Sequence, residues 1–193
     1  MDLLPLVFAS GWASGVNAYA VVLVLGLFGR FGGIELVPDA LTRVDVLVAA
    51  GIMYGVEFVT DKVPYLDSAW DAFSTAIRPT VGAILGFLLS GNASSLDQAT
   101  YIAVGGGSAL ASHLVKAGLR LAVNSSPEPF TNSAVSVSED LTVAGVVSLA
   151  LFHPWIALGV SAVLLVVGIV TIFLLMRLVR RGWRRWKGRP ALA

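Results

Sequence analysis

Apolar residues run along this chain in long blocks separated by short polar segments. A membrane-spanning helix needs about 20 consecutive, mostly apolar residues. Such stretches can be placed six times, at roughly 5–29, 44–61, 68–90, 97–123, 137–152 and 154–177. The last is the clearest, since Trp155 to Met176 carries no charge and is rich in Val, Leu and Ile. The fifth is short, and His153-Pro154 divides it from the sixth at a tight reversal, where Pro supplies no N–H. Pro5 and the run Ser10-Gly-Trp-Ala-Ser-Gly15 interrupt the first stretch. They predict a broken helix, which lipid tolerates only where the break is buried in protein or lines a cavity. Small residues recur at packing distance in Gly51-x-x-x-Gly55, Gly82-x-x-x-Gly86 and Gly105-Gly-Gly107. All three are expected at close helix contacts, and the glycine triplet could also break its helix.

Composition places this pattern in lipid. Hydrophobic residues make up 56% of the 193 residues and charged ones 13%, against about 25% charged in a soluble protein. A soluble core of this size could not hide so much apolar surface. The fold class expected is therefore an all-α integral membrane protein of about six transmembrane helices. Cysteine is absent, which excludes disulfides, thiolate nucleophiles and Cys-ligated metals. Met1-Asp2 supplies no positively charged start for a signal peptide and no cleavage site is evident, so the mature chain is expected to begin at Met1.

The net charge of +1 is a cancellation. Seven basic residues and no acids lie from Arg177 onward (Arg177, Arg180, Arg181, Arg184, Arg185, Lys187, Arg189), which leaves six basic against twelve acidic residues in the remainder. Residues 1–176 thus read as a polytopic membrane domain and 177–193 as a basic cytoplasmic tail, oriented by the positive-inside rule. Trp183 and Trp186 between the arginines suit an anchor against anionic lipid headgroups. The tail is short and lies where topology signals act, so nucleic acid is not expected as a partner. Threading six spans back from it puts both termini, 62–67 and 124–136 in the cytoplasm of a cell with an inner membrane, and 30–43, 91–96 and the His153 turn outside.

The surplus acids concentrate in two polar hairpins. Around the first turn stand Glu57, Asp61, Lys62, Pro64, Asp67 and Asp71. Glu57/Asp61 and Asp67/Asp71 are both i,i+4 pairs, sharing a helix face. Like charges at that spacing repel unless a cation, a proton or a basic partner sits between them. Around the second turn His113, Lys116 and Arg120 form one cationic stripe at i, i+3 and i+7, which Asn124 extends. Glu128, Asn132, Glu139 and Asp140 follow. Ion pairing between the hairpins, with Asp67 and Ser138 as helix caps, would explain single residues. It explains less well why eight acids (these seven carboxylates besides Asp97) face only three basic residues before Arg78 is added. Arg78-Pro79 is expected to kink its helix and to pair with Asp71 or Asp140. Each hairpin has an ionisable helix, a Pro-containing turn and an acidic start to the next helix, which suggests a parallel repeat. Asn17, with Ser14 and Tyr19, falls near the middle of the first span, either as an interhelical hydrogen bond or as polar lining.

Together, Ser14-Gly-x-Asn17-x-Tyr19, Glu57-Phe-x-x-Asp61-Lys-x-Pro-x-x-Asp67-Ser-x-Trp-Asp71 and His113-x-x-Lys116-Ala-x-x-Arg120-x-x-x-Asn124-x-Ser126-Pro-Glu-Pro-Phe130-x-Asn132 are distinctive. The sequence resembles a small bacterial membrane-protein family known as domain of unknown function 4126, over most of residues 10–152. The Ser-Pro-Glu-Pro-Phe stretch is the most specific part. The resemblance implies an integral membrane protein with these polar segments as its signature, and implies no activity, substrate or cofactor.

The leading functional expectation is a small transporter or channel-like protein with an intramembrane site for a cation, a proton-coupled solute or a small anionic solute. Glu57 and Asp61 would bind the cation or proton; His113, Lys116 and Arg120 would bind an anion or hold the carboxylates. An enzyme acting on lipid phosphates through Mg²⁺ at the paired carboxylates is a lesser alternative, and a non-catalytic scaffold is a third. No cofactor is implied, the metal question stays open, and so does the oligomeric state, a homo-oligomer included. A phosphate-binding Gly loop, a nucleophile elbow and His/Cys metal spacing are all missing from the sequence.

Overall fold

The computed structural model of the chain describes residues 3–63, 66–124 and 129–187, with the backbone alone at 122–124, 129–131 and 179–187. Among these residues the fold is all-helical: α1 (Leu4–Gly32), α2 (Asp39–Thr42), α3 (Val44–Thr60), α4 (Leu66–Ser90), α5 (Ser95–Asn124), α6 (Pro129–Phe152) and α7 (Pro154–Lys187). Four stretches are long and apolar enough to cross a membrane: Leu4–Gly32, Leu66–Ser90, Asn132–Phe152 and Pro154–Leu178. The architecture is consistent with a helical membrane protein. Of the two other stretches expected to span, α3 has 17 residues and α5 carries Asp97, Lys116 and Arg120, and neither is among the four.

α1 is the hub, packing against every other helix. It is apolar all round, as a centrally buried helix must be. The closest approach is between α1, α4 and α5, and glycine makes it possible. A Cβ on Gly11 would lie 2.5 Å from the Gly105 carbonyl, and one on Gly15 would overlap the Ala109 carbonyl. Gly82 and Gly105 face one another across α4 and α5, and a Cβ on Gly86 would overlap the Tyr101 carbonyl. Two of the three expected glycine contacts are therefore close ones. The third is not: a Cβ on Gly55 would meet nothing within 4 Å, and one on Gly51 only a leucine methyl at 3.9 Å. The triplet 105–107 leaves α5 continuous, because packing on α1 and α4 supports its backbone.

The expected break in the first helix occurs, but not at the Pro5 and 10–15 positions that predicted it. Pro5 lies in the first turn, where its missing N–H costs nothing, and 10–15 is helical and buried. The ladder breaks at Asn17 (φ −150°, ψ 99°). The second polar turn is shorter than the 124–136 read from the sequence, since α6 already begins at Pro129. Asn132 and Ser136 near its start are polar and buried, which masks a helix in a hydropathy reading. The His153-Pro154 boundary between α6 and α7 stands where the sequence places it, with His153 exposed in the turn. Beyond it α7 presents Trp155, Ile156, Val160, Val163, Val166 and Ile169 outward, an apolar face suited to lipid. The basic stretch begins as a continuation of α7 to Lys187; its side chains beyond Leu178 lie outside the described residues.

Candidate functional site

Four helices each bring one polar stripe to a common interior. On α3 it is Glu57 and Asp61, one turn apart at the end of the helix. On α4 the buried series Asp67, Asp71, Ser74 and Arg78 runs down one face before the glycines take over. α5 brings His113, Lys116 and Arg120, and α6 brings Asn132, Ser136, Glu139 and Asp140. Glu57, Arg78, Arg120 and His113 rank among the largest fully buried side chains.

The cations sit between the carboxylates. Lys116 Nζ donates to Asp61 Oδ2 at 3.0 Å, Glu57 Oε1 at 3.5 Å and the Val16 carbonyl at 3.0 Å, and Glu139 Oε2 is 3.4 Å away. The repulsion within the Glu57/Asp61 pair is thus relieved by a basic partner. Arg78 Nη2 donates to Glu57 at 2.7 Å, and its Nη1 lies 2.9 Å from Asp71. Arg120 forks onto Glu139 at 2.6 and 3.3 Å, reaches Asp61 Oδ2 at 3.3 Å and Asp67 at 3.7 Å, and donates to Asn132 Oδ1 at 2.9 Å. The Asp67/Asp71 pair is divided between two cations. The Asp61 carbonyl also accepts from Arg120 at 3.1 Å, so the ends of both hairpins are tied at one end of the bundle.

His113 links the network to α4. Arg78 Nη1 can only donate, so His113 Nδ1 accepts at 2.9 Å and the ring, neutral, carries its proton on Nε2. Nε2 then donates to Thr75 Oγ1 at 2.9 Å, whose hydroxyl donates to the Asp71 carbonyl.

The break in α1 faces this cluster. At the end of its first half the Gly15 and Val16 carbonyls accept from Arg78 (3.5 Å) and Lys116, where carbonyls at a helix terminus lack intrahelical partners and carry partial negative charge. Asn17 Oδ1 caps the second half by accepting from the Ala20 N–H at 2.9 Å, and its Nδ2 donates to Asp140 Oδ1 at 3.1 Å. Asn17 therefore makes an interhelical hydrogen bond and caps a broken helix at once. Tyr54 neighbours Asp140. Among the described residues Asp140 forms no ion pair, and its Oδ2 is buried without a hydrogen-bond partner.

Eleven of the residues singled out from sequence converge here: Asn17, Glu57, Asp61, Asp67, Asp71, His113, Lys116, Arg120, Asn132, Glu139 and Asp140. Lys62 does not join them, because its ammonium turns back onto its own helix, donating to the Phe58 carbonyl at 2.8 Å and lying over the Phe58 ring. Asp97 is exposed at the start of α5, in a reciprocal cap with Ser94. Ser138 is inside α6, donating to the Val135 carbonyl, and caps nothing. Arg78 pairs with Asp71 and Glu57, not Asp140. Glu128 and the Asn124 side chain lie outside the described residues. Tyr54 and Thr75 escaped the sequence reading. Tyr54 precedes Glu57 by three positions on the same face, a signal that was there to use.

The model of a family described as a domain of unknown function (DUF4126) matches residues 4–174. The chain belongs to that family. The match covers all the helices that build the DUF4126 site and extends at both ends beyond the 10–152 likeness; the basic tail lies outside it. No curated protein and no solved structure matches the chain.

Proposed function

We propose that this protein is a small multi-pass transporter of the cell membrane, in which a proton or small cation taken up by the buried carboxylates drives movement of a solute. The observation that carries this reading is the charge imbalance at the broken helix: among the described residues five buried or half-buried carboxylates share three buried cations, and a sixth, Asp140, pairs with none. Ionised side chains inside a membrane are costly unless paired, so uptake of a positive charge is the natural way to offset the surplus. Discontinuous helices whose terminal carbonyls meet cations are the usual setting for such sites. On this reading α3 and α5 join the four apolar helices to make six spans. Their outer faces support it, with Val48, Ile52, Val56 and Val59 on α3 and Leu110, Leu114 and Leu121 on α5 exposed towards lipid. The paired turns and the basic tail then face the cytoplasm, the tail against anionic headgroups.

We assign the coupling role to Asp140 and not to Glu57, because two cations already hold Glu57. Protonating Asp140 would weaken its hold on Asn17, and Asn17 caps the second half of α1. A bound proton thus acts directly on the break. The test uses proteoliposomes loaded with a pH-indicator dye, to which amines, phosphate and carboxylic acids are added in turn. At least one solute should change the lumenal pH, and Asp140→Asn should abolish that change while the protein still elutes folded. If none moves protons in wild-type vesicles, the transporter reading is wrong. The competing reading is structural, favoured by the full engagement of the Lys116 donors, and predicts only lower stability in Asp140→Asn.

A further inference from the structure

A cavity of about 240 Å³ lies between α1, α5, α6 and α7, beside the network. At about 30 Å³ per water-sized group it has room for roughly eight non-hydrogen atoms. Its apolar lining includes Trp12, Leu164 and Val167, and its polar lining comes from Lys116, Glu139 and four hydroxyls.

Among the described residues the donors in that lining are all committed. Ser112 donates to the Trp12 carbonyl at 2.6 Å, Ser138 to Val135 at 2.7 Å, Thr142 to Ser138 at 2.7 Å and Thr171 to Val167 at 2.8 Å. Each hydroxyl has one hydrogen, so each turns only lone pairs to the cavity. The three hydrogens of Lys116 go to Val16, Glu57 and Asp61. Glu139 is the most accessible acid of the ion-paired set, its side chain 18% exposed while Glu57, Asp61, Asp67 and Asp71 are at 5% or less. Among the described residues its Oε1 accepts a single bond, from Arg120.

A lining of acceptors and apolar side chains, next to a cluster with surplus negative charge, selects a ligand that is cationic, donates hydrogen bonds and carries an apolar body. We propose that this cavity binds a primary ammonium group attached to a short hydrocarbon body. The same chemistry is offered by a soluble alkylamine and by an aminolipid headgroup entering sideways from the bilayer. The inference deepens the transporter reading by naming its solute class, yet binding is measured without flux, so the two can fail separately.

The test is equilibrium binding to the full chain in phosphatidylcholine nanodiscs, with hexylammonium as probe. Hexylammonium should bind saturably and at least about tenfold more tightly than hexanoate, hexanol or tetraethylammonium, the last a cation without N–H groups. Thr142→Val, which keeps shape and removes an acceptor, should weaken it by about tenfold. Val167→Trp, at an outward position that fills the cavity, should abolish it with the melting temperature unchanged. Adding phosphatidylethanolamine to the discs separates the sources: an aminolipid occupant competes with hexylammonium, and a soluble one does not. Equal binding of hexanoate or tetraethylammonium, no binding of hexylammonium, or indifference to Thr142→Val and Val167→Trp in folded protein would overturn the proposal.

Discussion

Lys116 brings one ammonium within 3.5 Å of three carboxylates that come from two other helices. Desolvating so many charges is expensive, and a buried carboxylate is tolerated here because a cation lies against it. Removing the compensation should therefore cost more than removing a carboxylate. Lys116→Met is expected to destabilise the protein by about 3–5 kcal/mol, seen as a large fall in the thermal midpoint of its helical circular dichroism in detergent. Adding Asp61→Asn should restore part of that loss. A melt unchanged by Lys116→Met would mean that the carboxylates are already neutral without it. At this scale much of the site was legible. The i,i+4 acidic pairs and the cationic stripe on α5 show in spacing alone, as does their need for one another. Spacing cannot tell a buried acid from a capping one, however. Asp97 counts among the acids in the sequence and is exposed on the structure, because Ser94 three residues earlier makes it half of a helix cap.

Among the helices, glycine separates the packed core from its periphery. Gly15 and Gly86 lie against backbone carbonyls, which cannot swing aside as a side chain can. Gly55 occupies the same kind of sequence pattern with nothing near it. Alanine at the first two should force α1 and α4 away from α5 and lower the thermal midpoint sharply. Gly55→Ala should be neutral or raise stability by up to about 1 kcal/mol, the difference in helix propensity. The same thermal melts decide it, and equal sensitivity at all three positions would contradict the packing described. The sequence pattern identifies small residues and not their facing partners, so it cannot separate Gly51 and Gly55, which meet no backbone, from Gly11 and Gly15, which pack inside a continuous stretch of helix. Helix lengths were better served, since long apolar runs set them. The exception is α6, where Asn132, Ser133 and Ser136 carry an inward polar face that resembles a loop when only hydropathy is considered.

Over the whole molecule the two kinds of contact are unevenly shared. α1, α4 and α5 are joined by backbone-to-backbone glycine packing that does not depend on charge. α3 buries only Ala50, Glu57 and Thr60 along its length, and its strongest ties are the pairs from Glu57 to Arg78 and Lys116 and from Asp61, at its C-terminal end, to Lys116 and Arg120. The network therefore works as a catch holding a lightly packed helix against a rigid three-helix core. Neutralising that catch with Glu57→Gln and Asp61→Asn together should loosen α3 selectively. Hydrogen–deuterium exchange of the protein in nanodiscs is the measure, because local opening appears as loss of amide protection in the segment that opens. Exchange should rise across residues 44–60 while α1, α4 and α5 keep their protection. A uniform rise in all helices would instead show that the ion pairs hold the core itself.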